Sequence, residues 1–287
     1  MNDKIVLAVI LNYKSTDKVI VCIDSVLAQM ITNIRLVVVD NDSHDGGFER
    51  LCCLYGDYEN IVIVQSGNNC GYAAGNNVGI RAGMERWSVK YLLILNADIV
   101  LRDHSVVGRL VECLEGNPVI AGVQPKIVNI DGFLQGPYSR PSLYWEIFSR
   151  LMPIIRAVKI YRDRSRADVV EEGAYCYRVM GSCFLVRAED MAQVGFFDEN
   201  TFLYFEENIL AEKIHSLGKR FYYLPSVSVI HDHPQEGVPS RELCHEYKKS
   251  MTYYYSVYRQ ETWIFVTVMG WLYDLEILLL RHLKRGR

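Results

Sequence analysis

Short apolar runs alternate with longer segments of helical pattern over the first 125 residues of the chain. The runs are rich in β-branched side chains, which is typical of buried strands; they occupy residues 5–11, 34–39, 61–64, 91–95 and 119–123. Between them, residues 16–29, 73–87 and 105–115 predict helices, with Thr16 and Ser105 as N-cap residues. This alternation predicts an α/β fold with a Rossmann-like, mostly parallel sheet flanked by helices.

The second half of the chain has a less regular pattern. Residues 131–172 carry Gly, Pro, Arg and aromatic side chains without a clear period, which predicts long loops or short helices. Further on we expect a strand over 182–186, a turn over 195–198, a helix from about Glu207 to Ser216, and strands over 220–224 and 227–231. The pattern predicts one α/β domain over residues 1–235, with halves 1–125 and 126–235, and a helical C-terminal extension over 236–287.

Composition narrows the class of protein. Of the 287 residues, 50% are hydrophobic and 23% charged, which excludes a disordered or collagen-like chain. Lys and Arg number 31 against 34 Asp and Glu, so the net charge is −3, and without a basic excess we expect no nucleic-acid partner. The eight cysteines form no C-x-x-C pair and the N-terminus has no signal-peptide pattern, so we expect a cytoplasmic protein with reduced cysteines.

Small polar residues follow each of the first four predicted strands. They are Asn12 and Tyr13, Asp40 and Asn41, residues 67–72, and Asn96 with Asp98. Ligands of open parallel sheets bind at the carboxyl ends of the strands. Any single Asn or Asp here could simply form a turn or a helix cap. Four such strand ends on one edge favour a nucleotide site.

Two positions are candidate metal ligands. Asp98 closes an apolar strand, where a carboxylate can bind Mg²⁺ or Mn²⁺ together with substrate phosphates; the alternative is a turn-capping residue. His231 and His233 flank Asp232 at another strand end, and alternate positions on a strand face one side. A metal or phosphate role for His231 therefore stays open beside that of a hydrogen-bonded surface residue.

Other side chains are candidates for nucleotide binding and acid–base chemistry. Asp40 could accept hydrogen bonds from a base or a ribose. In the Gly-rich segment 69–79, small residues let the backbone approach a ligand, although it is neither a Walker loop nor G-x-G-x-x-G. Glu206 and Glu207 follow the aromatic run 202–205, which would desolvate a carboxylate and raise its pKa towards that of a general base. The alternative for this pair is stabilisation of a helix N-terminus.

The ordered set of motifs resembles glycosyltransferase family 2, in its rhamnosyltransferase-like branch with the GT-A fold. The resemblance covers roughly residues 4–235 and rests on 9–13 (VILNY), 37–46 (VVVDNDSHDG), 69–77 (NCGYAAGNN), 95–98 (LNAD), 181–187 (GSCFLVR), 195–199 (GFFDE), 202–207 (FLYFEE) and 229–231 (VIH). Each piece is weak by itself, but the ordered set is specific.

The resemblance implies an inverting transferase that moves rhamnose or a hexose from dTDP-rhamnose or a UDP-sugar to a hydroxyl of a glycan or lipid-linked acceptor in surface polysaccharide synthesis. It places Asp98 at the metal-binding end of the D-x-D motif, for Mg²⁺ or Mn²⁺, and Glu207 at the base position. The implied donor-binding residues are Asn12, Asp40, Asn41, Asn69, Gly71, Asn77 and Asn96.

Three positions depart from the family pattern: Asn96 replaces the first Asp of D-x-D, Glu207 the Asp of Glu-Asp, and Ile209 a second acid. Two alternatives to an active transferase stay open. An inactive homologue that binds nucleotide sugars would fit Asn96 and the Glu206–Glu207 pair. A sugar nucleotidyltransferase should carry a Gly-rich, Arg-containing loop after the first strand, and residues 11–16 (LNYKST) are not one.

Two basic or apolar segments suggest where the acceptor binds. Residues 262–273 are uncharged, but Asp274 and Glu276 follow, so the run is too short to cross a bilayer. Trp263, Trp271 and Tyr273 with a basic end suit an interfacial helix on the inner membrane surface. A helix packed on the protein, or on a second subunit of a homodimer, is the alternative. The middle segment 132–172, with Arg140, Trp145 and basic residues over 156–166, is a candidate acceptor surface or a solvated loop.

Overall fold

One sheet of 10 strands lies at the centre of this computed structural model, which describes residues 5–31, 33–142, 144, 147–148, 173–233 and 240–285. The strands are β1 (Ile5–Asn12), β2 (Ile34–Asp40), β3 (Ile61–Gln65), β4 (Val89–Asn96), β5 (Ile99–Val100), β6 (Ile120–Asn129), β7 (Leu134–Gln135), β8 (Ala174–Cys176), β9 (Cys183–Arg187) and β10 (Arg220–His231). The helices are α1 (Thr16–Leu27), α2 (Gly47–Tyr55), α3 (Gly71–Arg86), α4 (Val106–Gly116), α5 (Ala188–Gln193), α6 (Glu206–Ser216), α7 (Arg241–Tyr253), which continues as a π-helix (Tyr254–Tyr258), and α8 (Trp263–Arg285). Trp145 and the basic residues of 156–166 lie outside the described residues.

The strand order of the sheet is β3-β2-β1-β4-β9-β6-β10-β5, with β7 paired to β6 and β8 to β10. The first four strands run parallel, as do β6 and β10, while β9 lies antiparallel between β4 and β6. The predicted α/β fold with a mostly parallel sheet is therefore confirmed. The ends of β1, β2, β3 and β4 meet at one edge, because parallel neighbours with short register offsets finish together.

Several element boundaries differ from the predicted ones. The two strands expected over 220–231 form the single strand β10, because a register shift between Leu224 and Ser228 absorbs the intervening residues without ending the pairing. Helix α2 was not predicted; it is short and begins after Gly46, which has a left-handed backbone. The predicted N-cap is wrong for Thr16, which α1 already includes, so that Ser15 precedes the helix. Ser105 is at the N-cap position of α4 as predicted, but its Oγ donates to Asp103 Oδ1 at 2.8 Å and makes no cap hydrogen bond.

Side chains that alternate along β1 fill two cores, one on each face of the sheet. Val6, Ala8 and Ile10 face one core, which α1, α2 and α4 cover, while Leu7 and Val9 face the other, which α3, α5 and α6 cover. All five are fully buried. Strands with both faces covered need continuous apolar runs, which is the pattern that the sequence shows.

Glycines of α3 bring this helix close to the sheet. An added Cβ at Gly79 would lie 2.6 Å from Val9 Cγ1 and 2.7 Å from Val39 Cγ2. Gly75 faces Leu11 and Asn41 in the same way, one turn earlier. The expectation that small residues of this segment admit a ligand is corrected for Gly75 and Gly79, since the space beside them is occupied by the sheet.

The C-terminal helices pack on the α/β unit through a third apolar cluster. Ile209 of α6 is fully buried there, against Met251 of α7 and Val266, Met269 and Tyr273 of α8. This packing explains why an apolar side chain stands at position 209, since a carboxylate would be buried without water. The predicted division near residue 235 remains a prediction.

Helix α8 was predicted either to lie on a membrane surface or to pack on the protein, and part of the helix does pack on the protein. One face packs on the protein, and Tyr273, predicted at a membrane interface, belongs to that buried face with its ring stacked on Tyr247. Trp263 and Trp271 are exposed. None of the helices in the described part of the chain has the length and apolar character needed to cross a bilayer.

We predict that Gly79→Ala lowers the free energy of unfolding by about 1–3 kcal/mol, because the new methyl group must displace two β-branched side chains of a packed sheet. Urea titration followed by circular dichroism measures this loss. The matched control is Gly108→Ala in α4, where an added Cβ meets nothing within 4 Å. There the higher helix propensity of alanine should stabilise the protein by about 0.5–1 kcal/mol. Equal midpoints for the two variants would contradict close packing at Gly79.

Candidate functional site

Asn12 and Asp40 form a buried polar pair where β1 and β2 end. Asn12 Nδ2 donates to Asp40 Oδ1 at 3.0 Å, and the Ser43 backbone N–H donates to Asp40 Oδ2 at 3.2 Å. Asn12 Oδ1 in turn accepts from the Ser15 backbone N–H at 3.1 Å. Each oxygen of Asp40 keeps a further lone pair, because an ionised carboxylate offers about four acceptor sites. The carboxylate is thus buried and fixed in position, with acceptor capacity left on each oxygen.

A second polar group lies where β3 leads into α3. Asn41 Nδ2 donates to Asn69 Oδ1 at 2.9 Å and to the Gly71 carbonyl at 3.3 Å, and Asn69 Oδ1 also accepts from the Gly71 N–H at 3.1 Å. The buried Asn41 Oδ1 has no hydrogen-bond partner among the described residues. Gly71 has a positive φ of 90° and its Cα faces the Phe202 backbone, so a side chain there would be excluded on both grounds.

Asn77 has a different environment from the other predicted donor-site residues. Its Nδ2 donates to the Phe197 carbonyl at 3.0 Å and to Glu199 Oε1 at 2.8 Å, while its Oδ1 accepts from the Phe197 N–H at 3.1 Å. The amide is buried and fully engaged in holding the loop before α6. These bonds lie inside the fold, and the contact of Asn77 with a nucleotide stays a prediction.

Asp98 lies beside two histidines at the turn between β4 and β5. His231 Nε2 is 3.0 Å from Asp98 Oδ1 and His233 Nδ1 is 3.6 Å from Oδ2. Burial works against the charge of Asp98, but the hydrogen bond from His231 and the two imidazoles outweigh it and lower the pKa of the carboxyl. His231 Nδ1 lies 2.7 Å from Gln135 Oε1. Over the described residues, no three His, Cys, Asp or Glu side chains form a group able to hold a metal unaided.

A cavity of about 640 Å³ opens between the sheet edge and the C-terminal helices. Asn96 lines it on the sheet side, and Glu206 and Glu207 line it at the N-terminus of α6. Aromatic residues form much of its wall, namely Tyr72, Tyr138, Tyr204, Phe205, Tyr247 and Tyr255. The structure therefore brings the end of β4 together with two acidic residues that lie 110 and 111 positions after Asn96 in the sequence.

The two glutamates differ in their environment. Glu206 is only 3% exposed and its Oε1 has no hydrogen-bond partner in the described structure. Burial, followed by the nearby charge of Glu207, raises the pKa of Glu206 to about 8. Glu207 is half-buried, and its Oε1 accepts from the Gly181 N–H at 2.9 Å. Glu207 is thus the acid with a fixed orientation and access to the cavity.

The loop before α6 holds the acids through a strained backbone. Tyr204 and Phe205 have positive φ values of 73° and 69°, a conformation that non-glycine residues rarely adopt. The Tyr72 N–H donates to the Phe202 carbonyl at 2.8 Å and so ties this loop to the start of α3. Backbone strain of this kind persists only where surrounding contacts enforce it.

Tyr72 and Gly181 are site residues to which sequence reasoning gave no role. Tyr72 Oη donates to the Gly181 carbonyl at 2.7 Å, while the Gly181 N–H holds Glu207. A Cβ at Gly181 would lie 2.5 Å from Glu207 Oε1. In the sequence both positions belong to the quoted family motifs, but their proximity arises because the start of α3 and the turn before β9, which are 109 residues apart, meet in the fold.

Two arginines on the cavity wall were also not singled out as a pair. Arg178 places its guanidinium 3.9 Å from the centre of the Tyr138 ring. Arg140 makes a two-pronged ion pair with Glu212, whose carboxylate also accepts from Tyr177 Oη at 2.7 Å and Tyr254 Oη at 3.0 Å. Burial opposes the charge of Glu212, yet these hydrogen bonds prevail and its pKa is lowered. This network fixes the loop around residue 140 to α6 and to the π-helix.

Residues 8–189 match the profile of the family described as glycosyl transferase family 2. The low-salt glycan biosynthesis hexosyltransferase Agl10 of Haloferax volcanii is 25% identical over 201 residues, which are 69% of this chain and 58% of that protein. An N-acetylglucosaminyl-diphospho-decaprenol L-rhamnosyltransferase of Mycobacterium tuberculosis is 27% identical over 245 residues, 80% of this chain and 76% of that protein. The chain thus covers less than two thirds of the first relative and most of the second. The resemblance to family 2 and its rhamnosyltransferase-like branch is confirmed.

Solved structures support the fold. A mannosyltransferase of Pyrobaculum calidifontis, in complex with GDP-Man and Mn²⁺, superposes with a TM-score of 0.60 at 15% identity, over 98% of this chain and 74% of that one. GalNAc-T7 with UDP, GalNAc and Mn²⁺ gives a TM-score of 0.64 at 16% identity, over 90% of this chain and 49% of that one. At these identities the likeness establishes the GT-A architecture alone.

We predict that Glu206→Gln removes a pH-dependent loss of stability. Between about pH 5 and pH 8 folded Glu206 keeps a proton that the unfolded chain releases, because its folded pKa is raised, so unfolding becomes easier as pH rises. Urea unfolding at several pH values should show that the variant gains at least about 1 kcal/mol over the parent across this window. The exposed Glu189→Gln serves as control and should leave the slope unchanged. Parallel curves for parent and Glu206→Gln would contradict the raised pKa.

Proposed function

The chain belongs to glycosyl transferase family 2, and on that premise we propose that it transfers rhamnose or a hexose from a nucleoside-diphosphate sugar to a hydroxyl of a glycan or lipid-linked acceptor, with inversion. The observation that carries this proposal is the cavity shared by Asn96, at the end of β4, and Glu207, at the start of α6. A donor held along the sheet edge and an acceptor held against α6 would meet there. We also propose that residues 1–235 form the catalytic domain and 236–287 an extension that completes the cavity wall.

The donor site is proposed along the edge formed by β1 to β4. Asp40 is held by Asn12 and Ser43 where it can accept from the N–H of a uracil or thymine, since its oxygens have unused lone pairs. Asn41 brings an unpartnered carbonyl oxygen to the same edge, beside Asn69 and Gly71. The resemblance to the rhamnosyltransferase-like branch implies dTDP-rhamnose or a UDP-sugar as donor, and thymine and uracil each carry the ring N–H from which Asp40 would accept.

A divalent cation fits beside Asp98 and His231. Gln135 Oε1 lies 2.7 Å from His231 Nδ1 and orients the ring, while Nε2 lies 3.0 Å from Asp98 Oδ1; a bound cation would replace the hydrogen between Nε2 and the carboxylate. Two converging donor atoms with an outer partner that orients the imidazole are the usual surroundings of a bound metal. We propose that Asp98 and His231 hold Mg²⁺ or Mn²⁺, with diphosphate oxygens as the other ligands. When bound, the cation would neutralise charge on the departing diphosphate.

Glu207 is proposed as the general base. It would take the proton of the acceptor hydroxyl as that oxygen bonds to the sugar's anomeric carbon and the bond to the diphosphate oxygen breaks, so no sugar-enzyme intermediate forms. The Gly181 N–H and the neighbouring Tyr72 keep its carboxylate in one orientation. Glu206, with its raised pKa, would stay neutral beside it and avoid a second buried charge.

The acceptor side is proposed at the aromatic wall and the two arginines. Aromatic faces suit the apolar faces of sugar rings, and six such residues line the cavity. The Mycobacterium relative is named for an acceptor with a sugar on a lipid diphosphate. Arg178, stacked on Tyr138 at the cavity wall, presents a cation of the kind that binds phosphate. We therefore propose a lipid-linked sugar diphosphate as the acceptor class.

Glu207→Gln should reduce transfer by about 10²–10⁴-fold, because the amide cannot accept the proton while the shape of the side chain is kept. Release of nucleoside diphosphate from dTDP-rhamnose and UDP-sugars, with a sugar-diphosphate lipid as acceptor, measures turnover, and calorimetry measures donor binding, which should be unchanged. The exposed Glu189→Gln is the matched control and should keep full turnover.

Normal turnover of Glu207→Gln would refute its role as base and transfer that role to Glu206. Binding of donors by the parent without turnover of any acceptor would favour the inactive homologue. Exchange of pyrophosphate into a nucleotide sugar would instead favour a nucleotidyltransferase.

Asp98→Asn should weaken Mn²⁺-dependent donor binding by about tenfold or more, because it removes the single carboxylate from the proposed metal site. The measurement is the shift in melting temperature that each nucleotide produces with and without Mn²⁺. Asp103→Asn, on an exposed loop nearby in sequence, is the control and should behave as the parent. An unchanged Mn²⁺ dependence in Asp98→Asn would reduce Asp98 to a turn residue.

A further inference from the structure

Helix α8 carries a second apolar face that nothing in the described structure covers. Ile264, Trp271, Leu275 and Leu278 are each more than half exposed. With 3.6 residues per turn, these four positions fall within about 60° of one another around the helix axis. Leu279 widens the face at its C-terminal end, where it too is more than half exposed. We call these five residues the outer face of α8, and they extend over about 22 Å of helix.

The opposite side of the same helix is already used by the fold. Val266, Met269 and Tyr273 are buried in the cluster with Ile209 of α6. A helix with one face packed on its protein needs only that face to be apolar, and the rest is normally polar. A second, contiguous apolar face with an exposed tryptophan in its centre therefore indicates an external partner.

Cationic side chains flank the outer face at its C-terminal end. A groove of about 560 Å³ between α7 and α8 is lined by the cations Arg241, Lys248 and Arg281, together with His245 and His282. The acid in this groove, Asp274, is engaged by Lys248 at 2.5 Å. The sequence beyond Leu280 adds Lys284, Arg285 and Arg287 and contains no acid. Apolar residues and tryptophan next to such a basic end are the composition of helices that lie on anionic membranes.

The cavity described above connects this face to the proposed chemistry. Met269 lines the cavity from the inner side of α8, together with Met251 and Tyr255 of the preceding helices. A surface that binds the outer face would thus lie one helix diameter from the acceptor wall, about 10 Å. A substrate whose sugar is attached to a lipid could reach the cavity from such a surface without leaving it.

We infer that the outer face of α8 and the adjoining basic groove dock the protein on an anionic lipid surface. The apolar side chains enter the boundary between headgroups and acyl chains, and Arg241 of α7 and Arg281 of α8 pair with lipid phosphates. The outer face itself carries no charge, and the cations lie together at one end of it, which fits a uniformly negative surface better than a second copy of the same helix. The part of this inference that concerns access of the acceptor rests on the proposed function, whereas docking itself does not.

Sedimentation of the full chain with vesicles tests the docking. Vesicles of phosphatidylcholine with phosphatidylglycerol should bind the parent, pure phosphatidylcholine should bind it weakly, and added salt should release it, because screening weakens the attraction of the basic groove. The double variant Trp271→Gln, Leu278→Gln should bind the anionic vesicles on the order of tenfold more weakly or worse, since each exposed side chain contributes apolar transfer energy.

A matched double variant controls for a general loss of apolar surface. Met30→Gln, Leu54→Gln removes two exposed apolar side chains from the α/β unit and should bind vesicles as the parent does. Circular dichroism, and donor use with a water-soluble acceptor, should be the same for parent and both variants, so a failure of docking is separable from a failure of the proposed transferase activity. Absence of vesicle binding by the parent would overturn the inference. A dimer in sedimentation equilibrium that Trp271→Gln, Leu278→Gln dissociates, without vesicle binding, would assign the face to a second copy.

Discussion

The attachment of the loop over residues 197–205 to helix α3 is the constraint on which the candidate site depends. Asn77 binds both the N–H and the carbonyl of Phe197, and the Tyr72 N–H binds the Phe202 carbonyl. These bonds join the half of the sheet that ends in polar side chains to the helix that begins with Glu206. Together with the bond from Ser250 Oγ to the Leu203 carbonyl at 2.8 Å, they hold Tyr204 and Phe205 at positive φ values. The positions of Glu206 and Glu207 therefore depend on the hydrogen bonds between this loop and α3.

This constraint also explains the composition of α3. Gly71 must be small because the Phe202 backbone lies against it. Gly75, Gly79 and Gly83 must be small because side chains of the sheet lie against them. A helix with this many glycines has a low intrinsic propensity, so tertiary packing rather than local preference keeps it folded. The segment looks like a ligand-binding loop in the sequence, and only its first turn borders the polar edge of the sheet.

The C-terminal helices take part in the same arrangement. Asp198, in the attached loop, accepts from Tyr253 Oη at 2.9 Å and from Tyr258 Oη at 2.5 Å. Glu212, one turn beyond the cluster of Ile209, accepts from Tyr254 as well. These bonds make the C-terminal helices a wall of the cavity rather than an appendage, and they leave the far side of α8 uncovered. The outer face is exposed because the opposite side of α8 packs on the protein.

The sequence by itself determined the order of strands and helices in the first half apart from the short elements α2 and β5, together with the polar strand ends and the motifs of family 2. These features depend on local periodicity and on side chains close in the chain. The aromatic run before Glu206 and Glu207 also indicated that one of these carboxylates could act as a general base. The sequence could not separate the two acids, since burial of Glu206 and the Gly181 bond to Glu207 arise between segments far apart in sequence. The pairing of Asp98 with His231, 133 positions later, likewise needs the antiparallel contact of β5 with β10. Tertiary structure alone decided these, because long-range burial and hydrogen bonding, not local pattern, set the charge and direction of a carboxylate.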